Sequence, residues 1–511
     1  MKALKKESLP FLYCLLAAAV CLMICSKSSF LYPINDWTDA NAYLSCGRGM
    51  LAGRVMYRDL YEHKGPLLYA LHALCCFVDH GGFLGVYLLE VLAGGVFLWF
   101  SYKLAILYGA NRTSLWLAPL LGALIYASFS FQQGDSAEEL CLPLLLASLY
   151  SLLRWLRTQA PERMSVTLLI WNGFLGGCVL WIKFTLLGFY APWLLGLMVY
   201  HLIRHEGRAA WTVLWAFAVG ALLATLPWIV YFGLNGAILP WLKTYLYDNL
   251  FLYSDSGIMT LRQRLGAAFH AGWDWLRLNP AYTVPMALGM LWLTLCPRAQ
   301  KRPGQKPGLL PCVSAAEKAF VWAMLAFATT GVFVGGKSYV YYGLILAVFA
   351  PLGMAAVARA LHARETRRRW LGALLAALAL PLAGAYSLWQ SPNVTALLEP
   401  RAQTMQYQFA ALVNRTPHAT LLNYGFMDAG FYTACDIAPS VKYFHQTNVP
   451  LEEMLSEQER YVAEGVTDYV VTRGRQPDSI GLHYTLIATA KPPADFWYDT
   501  VYLYRRNDIQ P

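Results

Sequence analysis

Over its first 390 residues the chain alternates between long apolar runs and short polar connections. A helix needs about 20 apolar residues to cross the hydrocarbon core of a bilayer. The segment 66–79 is apolar but short, so it is interpreted as an interfacial or half-inserted helix of the first outer loop. The longer runs predict about eleven transmembrane helices, near 9–26, 81–105, 114–131, 138–156, 165–182, 184–203, 210–232, 281–297, 318–335, 339–359 and 369–388.

Basic residues cluster in the short loops on one side of this topology. Lys and Arg accumulate in cytoplasmic loops, so the pattern predicts a cytoplasmic N-terminus on an uncleaved first helix. The long polar segments 27–65 and 233–280 and the tail then lie outside. The basic residues on the inner side are Lys2, Lys5 and Lys6; Lys103 and Arg112; Arg154, Arg157 and Arg163; Arg204 and Arg208; Arg298, Lys301, Arg302 and Lys306; and Arg364, Arg367, Arg368 and Arg369.

The tail changes to the composition of a soluble domain. The β-type runs ATLLNYG, TDYVVTR, YTLIATA and VYLYRR accompany the helical pattern EEMLSEQERYVAEG, which predicts a small C-terminal α/β extracytoplasmic domain over 391–511. We interpret it as a cap over the outer face, with substrate binding as the alternative. The fold class is thus an α-helical polytopic membrane domain over 1–390, with outer loops at 27–80, 131–138 and 233–280, followed by this α/β domain.

Composition supports a membrane protein and excludes other classes. Only 14% of the 511 residues are charged, against about 25% in soluble domains. The net charge of +10 sits in the loops described above, which indicates topology and not nucleic-acid binding. The 11 cysteines show no CxxC or Cys/His metal-binding spacing.

Ionisable residues gather at the predicted outer ends of the helices. Such residues are costly at membrane depth and indicate a functional site. The first loop contributes Asp36, Asp39, Asp59, Glu62, His63 and Lys64, and later outer segments contribute Asp135, Glu138, Glu139, Lys183, Asp248, Asn249, Arg262, Arg264, Lys337, Tyr339, Tyr341 and Tyr342.

Both signs of charge are present in this set, which favours chemistry on a phosphorylated substrate. A carboxylate can act as general base toward an acceptor hydroxyl, or hold a divalent cation against a phosphate. Cations such as Lys183, Lys337 and Arg262 can stabilise a phosphate leaving group. No residue is assigned as a metal ligand, and a divalent cation is the one cofactor considered.

Each candidate also has a purely structural explanation. Asp36 fits a turn in PIND, Asp59 fits a turn partner of Arg58 or Lys64, and His63 fits a packing residue. A carboxylate in the first helical turn favours the helix dipole, and a lysine near a helix end can be an interface anchor. These two explanations apply to Asp39, Glu138, Glu139, Lys183 and Lys337.

Three segments, in this order, resemble one group of membrane enzymes. The first is DANAY, from Asp39 to Tyr43, followed by GRVMYRDLYEHKGP; the second is AEELCLP; the third is KSYVYYGLILAVFAP. Together they resemble the GT-C superfamily of integral-membrane glycosyltransferases, in particular the protein O-mannosyltransferase and lipid A aminoarabinose transferase group.

The resemblance implies a hexosyl- or pentosyltransferase in the plasma membrane. It would move a sugar from a polyprenyl-phosphate donor to a lipid, cell-wall glycan or protein acceptor, without nucleic acid. Asp39 would be the catalytic carboxylate of the first loop, and Glu138 or Glu139 the second catalytic acid. The predicted substrate-binding residues are Asp36, Tyr43, Asp59, Lys64, Lys183, Asn249, Arg262, Lys337, Tyr339 and Tyr342.

Two departures from the family pattern stand out. Ala40 follows Asp39 where many members have a second acid, and Tyr341 precedes Tyr342 where a His is usual. A flippase or transporter of lipid-linked saccharide is the first alternative, but it predicts inward-facing charges at mid-span and inverted repeats, and the sequence has neither. A non-catalytic glycan-assembly component is the second alternative.

Reporter fusions test the predicted orientation. Alkaline phosphatase, which is active only outside the cytoplasm, should be active when fused to the C-terminus and inactive when fused after Glu206 in an inner loop. Fluorescence of a C-terminal green fluorescent protein fusion, together with phosphatase activity at Glu206, would contradict it.

Overall fold

The computed structural model describes residues 2–253, 260–297, 311–362, 369–491 and 500–509. The basic turns predicted at 298–306 and 364–368 lie outside the described residues. The helices are α1 Lys2–Cys25, α2 Thr38–Leu51, α3 Pro66–Cys76, α4 Leu84–Leu107, α5 Leu117–Tyr126, α6 Ala137–Thr158, α7 Val166–Ile182, α8 Leu197–Ile203, α9 Gly207–Leu234, α10 Ile238–Leu242, α11 Leu261–Leu278, α12 Pro280–Leu295, α13 Ala315–Phe333, α14 Ala350–His362, α15 Arg369–Gln390, α16 Met405–Val413, α17 Phe431–Cys435, α18 Glu452–Ala463 and α19 Ile480–His483.

Tighter or wider helical turns interrupt or extend several of these helices. The strands, all in the tail, are β1 Leu421–Tyr424, β2 Tyr469–Arg473, β3 Tyr484–Ala490 and β4 Val501–Arg506. The 3-10 segments are Arg112–Trp116, Phe129–Phe131, Phe184–Phe189, Val340–Phe349, Pro392–Ala396 and Arg401–Gln403, and the π segments are Pro192–Gly196 and Lys243–Tyr253.

The protein is a helical polytopic membrane protein, as the apolar pattern predicts. Within the described residues, seven helices are long and apolar enough to span a bilayer: Ser8–Cys25, Leu84–Leu107, Ala137–Thr158, Phe184–Ile203, Gly207–Leu234, Val340–Leu361 and Trp370–Gln390. The other four predicted spans are also helical, but they are shorter or more polar: α5, α7, α12 and α13. In the predicted span 114–131 the α-helical part is the 10-residue helix α5, and the 3-10 segments Arg112–Trp116 and Phe129–Phe131 lie on either side of it.

The chain forms two compact units. Unit 1 comprises Met1–Ser26, Leu88–Pro227 and Gly257–Thr395, and unit 2 comprises Lys27–Tyr87, Trp228–Ser256 and Ala396–Pro511. The first outer loop and part of the second therefore fold in the same unit as the tail.

Small residues bring the helices of unit 1 close together. A Cβ atom on Gly353 would lie 1.9 Å from the Pro285 oxygen of α12, and one on Gly220 of α9 would lie 2.0 Å from the Ile170 oxygen of α7. Glycine at these crossings lets the helix backbones touch, as is common where apolar helices pack in lipid.

A four-stranded sheet forms the centre of the tail in unit 2. Its order is β1-β2-β4-β3; β1 and β2 are parallel and the other neighbours are antiparallel. All four strands and the helix α18 coincide with segments predicted from sequence. The buried core beside the sheet includes Leu422, Met454 and Val470 from the tail and also Tyr61 from the first loop. The first loop thus contributes to the tail's own core.

Close packing of α2 on α3 gives a stability prediction. A Cβ on Gly47 would lie 2.6 Å from the Ala73 nitrogen and 2.7 Å from the His72 carbonyl carbon, both backbone atoms that cannot move aside alone. Gly47→Ala should cost about 1–3 kcal/mol, measured as a lower Tm of the full chain in detergent. The matched control is Gly207→Ala, whose Cβ meets nothing within 4 Å and should change stability by less than about 0.5 kcal/mol. Equal Tm values for the two variants would contradict this packing.

Candidate active-site residues

Helix α2 places Asp39 and Tyr43 on one buried face. Asp39 lies in the first turn of the helix and Tyr43 follows one turn later, a spacing that brings the two side chains together. The Tyr43 hydroxyl donates to Asp39 Oδ2 at 3.1 Å. Asp39 is only 7% exposed, so its carboxylate is held in a fixed direction.

Lys64 and His63 extend this pair into a row of buried polar groups. Lys64 Nζ lies 3.8 Å from Asp39 Oδ2 and 3.2 Å from His63 Nε2. Because an ammonium can only donate, His63 Nε2 accepts this hydrogen bond, which leaves Nδ1 as the ring nitrogen that carries a proton. That nitrogen lies 3.1 Å from Glu62 Oε1. The buried polar groups thus follow the order Asp39, Lys64, His63, Glu62, although His63 Nδ1 makes no hydrogen bond of good geometry among the described residues; we call these residues, with Tyr43, the Asp39 cluster.

Tyrosine hydroxyls and an amide fix the backbone under the Asp39 cluster. The Lys64 nitrogen donates to the Tyr69 hydroxyl at 2.8 Å, and the Tyr57 hydroxyl donates to the Lys64 carbonyl at 2.7 Å. Asn249 Nδ2 donates to the His63 carbonyl at 2.7 Å. Asn249, a predicted substrate-binding residue, therefore contacts this loop.

Electrostatics keep Glu62 ionised. Burial alone would raise the pKa of Glu62, but the neighbouring His63 and Lys64 outweigh it and hold the pKa below its usual value. A buried charge needs such compensation. Glu62 and His63 were noted from the sequence, but the sequence did not predict that they complete the cluster.

Two other acids of the first loop support local structure. Asp36 pairs with Lys27 at 2.8 Å. Asp59 pairs with its neighbour Arg58 at 2.8 Å and accepts from the Val55 nitrogen at 2.9 Å. The hydrogen bond from Arg58 lowers the pKa of Asp59. Asp59 thus occupies the turn that its structural explanation describes.

Unit 1 contains a second buried ion pair, between Lys183 and Glu138. Lys183 follows the last turn of α7 in an extended conformation and donates to Glu138 Oε1 at 2.5 Å. Its Nζ also lies 3.6 Å from the centre of the Tyr342 ring and 5.2 Å from that of Tyr341, within cation–π range. Glu138 Oε2 is buried and has no hydrogen-bond partner among the described residues.

Glu139 belongs to a different network from its neighbour. Its Oε2 accepts from the Asp135 nitrogen at 2.9 Å, and Glu90 Oε1 accepts from the same nitrogen at 2.8 Å. The Ser26 hydroxyl donates to both oxygens of Glu90. Sequence reasoning missed Glu90, although a lone carboxylate inside an apolar run was a usable signal.

Tyr339 joins the surroundings of Lys183 through its contact with Tyr342, whose ring centre lies 5.5 Å from that of Tyr339. The Tyr339 ring stacks on that of Tyr341, with centres 5.9 Å apart. Lys337 is half-buried in the loop before them, and Arg262 is exposed on α11. Among the described residues, no group of three or more His, Cys, Asp or Glu side chains is arranged to hold a metal ion. The divalent cation considered from the sequence stays a prediction.

Comparison with solved structures identifies the fold. The chain is similar to ArnT from Cupriavidus metallidurans in the apo state, with a TM-score of 0.60, and to the same protein bound to undecaprenyl phosphate, with a TM-score of 0.58. Each match has 14% identity and covers 96% of this chain and 97% of ArnT. No protein-family model and no curated protein sequence matches. ArnT is a GT-C superfamily member, so the GT-C fold implied by the sequence resemblance is confirmed.

The depressed pKa of Glu62 gives a pH prediction. Ionised Glu62 stabilises the fold above the unfolded-state pKa of about 4.3, and this contribution is lost as the pH falls toward the folded-state value. Glu62→Gln should lower the Tm at neutral pH and should also flatten the fall of Tm below about pH 4.3. Thermal unfolding of the full chain over that range measures both effects.

Glu464→Gln, which changes an exposed glutamate of the tail, is the matched control and should follow the wild-type curve. Parallel acid curves for wild type and Glu62→Gln would contradict the assignment.

Proposed function

We propose that this chain is a membrane glycosyltransferase that moves a sugar from a polyprenyl-phosphate donor to a lipid, cell-wall glycan or protein acceptor at the outer membrane face. The observation that carries the proposal is the buried Asp39–Lys64 pair in the first loop of a GT-C fold. It places a proton acceptor and a cation side by side, which are the two groups that sugar transfer from a phosphate requires.

In this proposal Asp39 is the general base. It accepts the proton of the acceptor hydroxyl while the acceptor oxygen bonds to the anomeric carbon of the sugar. The bond between that carbon and the phosphate oxygen breaks, and polyprenyl phosphate leaves with the electron pair. The Tyr43 hydroxyl, 3.1 Å from Asp39 Oδ2, orients the carboxylate. A positioned base of this kind contributes roughly 100- to 10,000-fold.

Lysines provide charge for the departing phosphate. Lys64 is fixed between Asp39 and His63, and a preorganised cation stabilises developing negative charge without rearrangement. Lys183 of unit 1, held by Glu138 and the Tyr342 ring, stays a donor-binding residue predicted from the sequence alone. Glu138, whose Oε2 is buried without a hydrogen-bond partner among the described residues, likewise stays a candidate for the second acid on sequence grounds.

Two observations support a polyprenyl-phosphate donor. The ArnT structure of similar fold contains undecaprenyl phosphate, and the apolar helices of this chain suit a lipid-linked substrate. With the predicted orientation, transfer takes place outside the plasma membrane, on the side of the tail.

Replacing the base tests the proposed function. In cells that lack the gene, a plasmid copy with Asp39→Asn should restore the lost surface sugar about 100-fold less efficiently than wild type, because the amide cannot accept the proton. Mass spectrometry of surface glycans and glycolipids gives the readout.

Asp508→Asn, at an exposed tail residue, is the control and should restore the sugar fully. The proposal is wrong if Asp39→Asn reaches the membrane with wild-type abundance and Tm and also restores the sugar fully.

A further inference from the structure

His445 is a buried histidine of the tail that sequence reasoning did not select. It is 1% exposed and its ring stacks on Phe444, with centres 4.2 Å apart. The backbone nitrogen of Asp428 donates to His445 Nδ1 at 3.2 Å. The Nδ1 atom of His445 is therefore occupied by a hydrogen bond from the tail's own backbone.

The other ring nitrogen is a donor with no acceptor. Because Nδ1 accepts, the neutral imidazole carries its proton on Nε2. Burial lowers the pKa of His445, although Glu62 and Asp428 oppose this, so the ring is neutral at physiological pH. Nε2 is buried and makes no hydrogen bond with any residue that the structure describes. An unsatisfied buried donor costs free energy, so its presence calls for an explanation such as a functional role.

His445 lies in the same buried region as the Asp39 cluster. The titratable groups that act electrostatically on its ring include Glu62, His63 and Asp39. Asp428, the residue bonded to Nδ1, also accepts at 2.6 Å from the hydroxyl of Ser45. Ser45 is on α2, the helix that carries Asp39. All of these residues belong to unit 2.

We propose that His445 Nε2–H donates a hydrogen bond to a substrate oxygen at the Asp39 cluster, which makes the tail part of the substrate-binding site. The inference rests on the proposed transferase function. The oxygen belongs either to the donor phosphate or to an acceptor hydroxyl, because both accept hydrogen bonds from a neutral imidazole.

Two substitutions separate this role from a structural one. His445→Asn keeps an acceptor near the Nδ1 position, so the bond from Asp428 is retained, but it removes the Nε2 donor. His445→Gln places an amide N–H near the Nε2 position and gives up the Nδ1 acceptor. A substrate-binding role requires Gln to work and Asn to fail, and a purely structural role requires the opposite.

Two readouts on the full chain identify the oxygen. The first is binding of undecaprenyl phosphate to the purified protein, and the second is restoration of the surface sugar in cells that lack the gene. His445→Asn should weaken at least one of them by roughly 10- to 100-fold, as expected for a hydrogen bond to a charged group or a developing charge. His445→Gln should stay within about threefold of wild type. Weaker undecaprenyl phosphate binding assigns the oxygen to the phosphate, and unchanged binding with lost restoration assigns it to the acceptor.

Any other pattern overturns the inference. Activity in both variants, loss in both, or loss only in His445→Gln would each show that Nε2–H does not contact substrate. His483→Asn, at an exposed histidine of the same tail, is the control, and the Tm of each variant verifies folding. If the wild-type protein neither binds undecaprenyl phosphate nor restores a sugar, the proposed function itself fails. If wild type does both and Asp39→Asn does not restore the sugar, only the role of His445 is in question.

Discussion

The buried ammonium of Lys64 is the constraint on which unit 2 depends. Lys64 is 8% exposed, and taking an ammonium out of water costs several kcal/mol unless charge and hydrogen bonds compensate. Asp39 supplies the opposite charge, and His63 Nε2 accepts a hydrogen bond from the ammonium. Glu62 lies beside the other ring nitrogen of His63. The first loop therefore holds the Lys64 ammonium in place through charge and hydrogen bonds.

The tail completes this arrangement from the far end of the chain. On α2, Ser45 bonds to Asp428, and Arg48 donates to the Thr433 hydroxyl at 2.7 Å. Tyr61, three residues before Lys64, packs into the core beside the tail's sheet. Since a 1 Å displacement of a catalytic group can cost 100-fold in rate, these contacts give the tail a direct influence on Asp39. The tail thus bonds to the helix that carries Asp39.

Short sequence patterns were enough to predict most of the fold. The candidate site was only partly predictable, because it depends on contacts between residues that are distant in the sequence. The start of α2, the acids at the start of α6 and the four strands follow from short patterns of neighbouring residues. Glu138 and Glu139 were equivalent in the sequence, but their distant partners differ: Lys183, 45 positions away, for Glu138, and Glu90 for Glu139.

Ala40 occupies the position where many members of the resembling group have a second acid, and it shows the same limit of short sequence patterns. Glu62 provides a second carboxylate near Asp39, on the other side of His63 and Lys64, and only the folded loop brings it there. The bond between Ser45 and Asp428 joins residues 383 positions apart, a separation for which no short pattern exists. The role of His445 depends on that bond and could not be predicted from sequence.

The central claim is that the Asp39 cluster transfers a sugar from a polyprenyl phosphate. Mass spectrometry of surface glycans, glycolipids and polyprenyl-phosphate sugars, in cells with and without the gene, tests it most directly. The account predicts that one sugar disappears from a surface product while its polyprenyl-phosphate donor accumulates. Unchanged surface glycans and unchanged donor levels would contradict it.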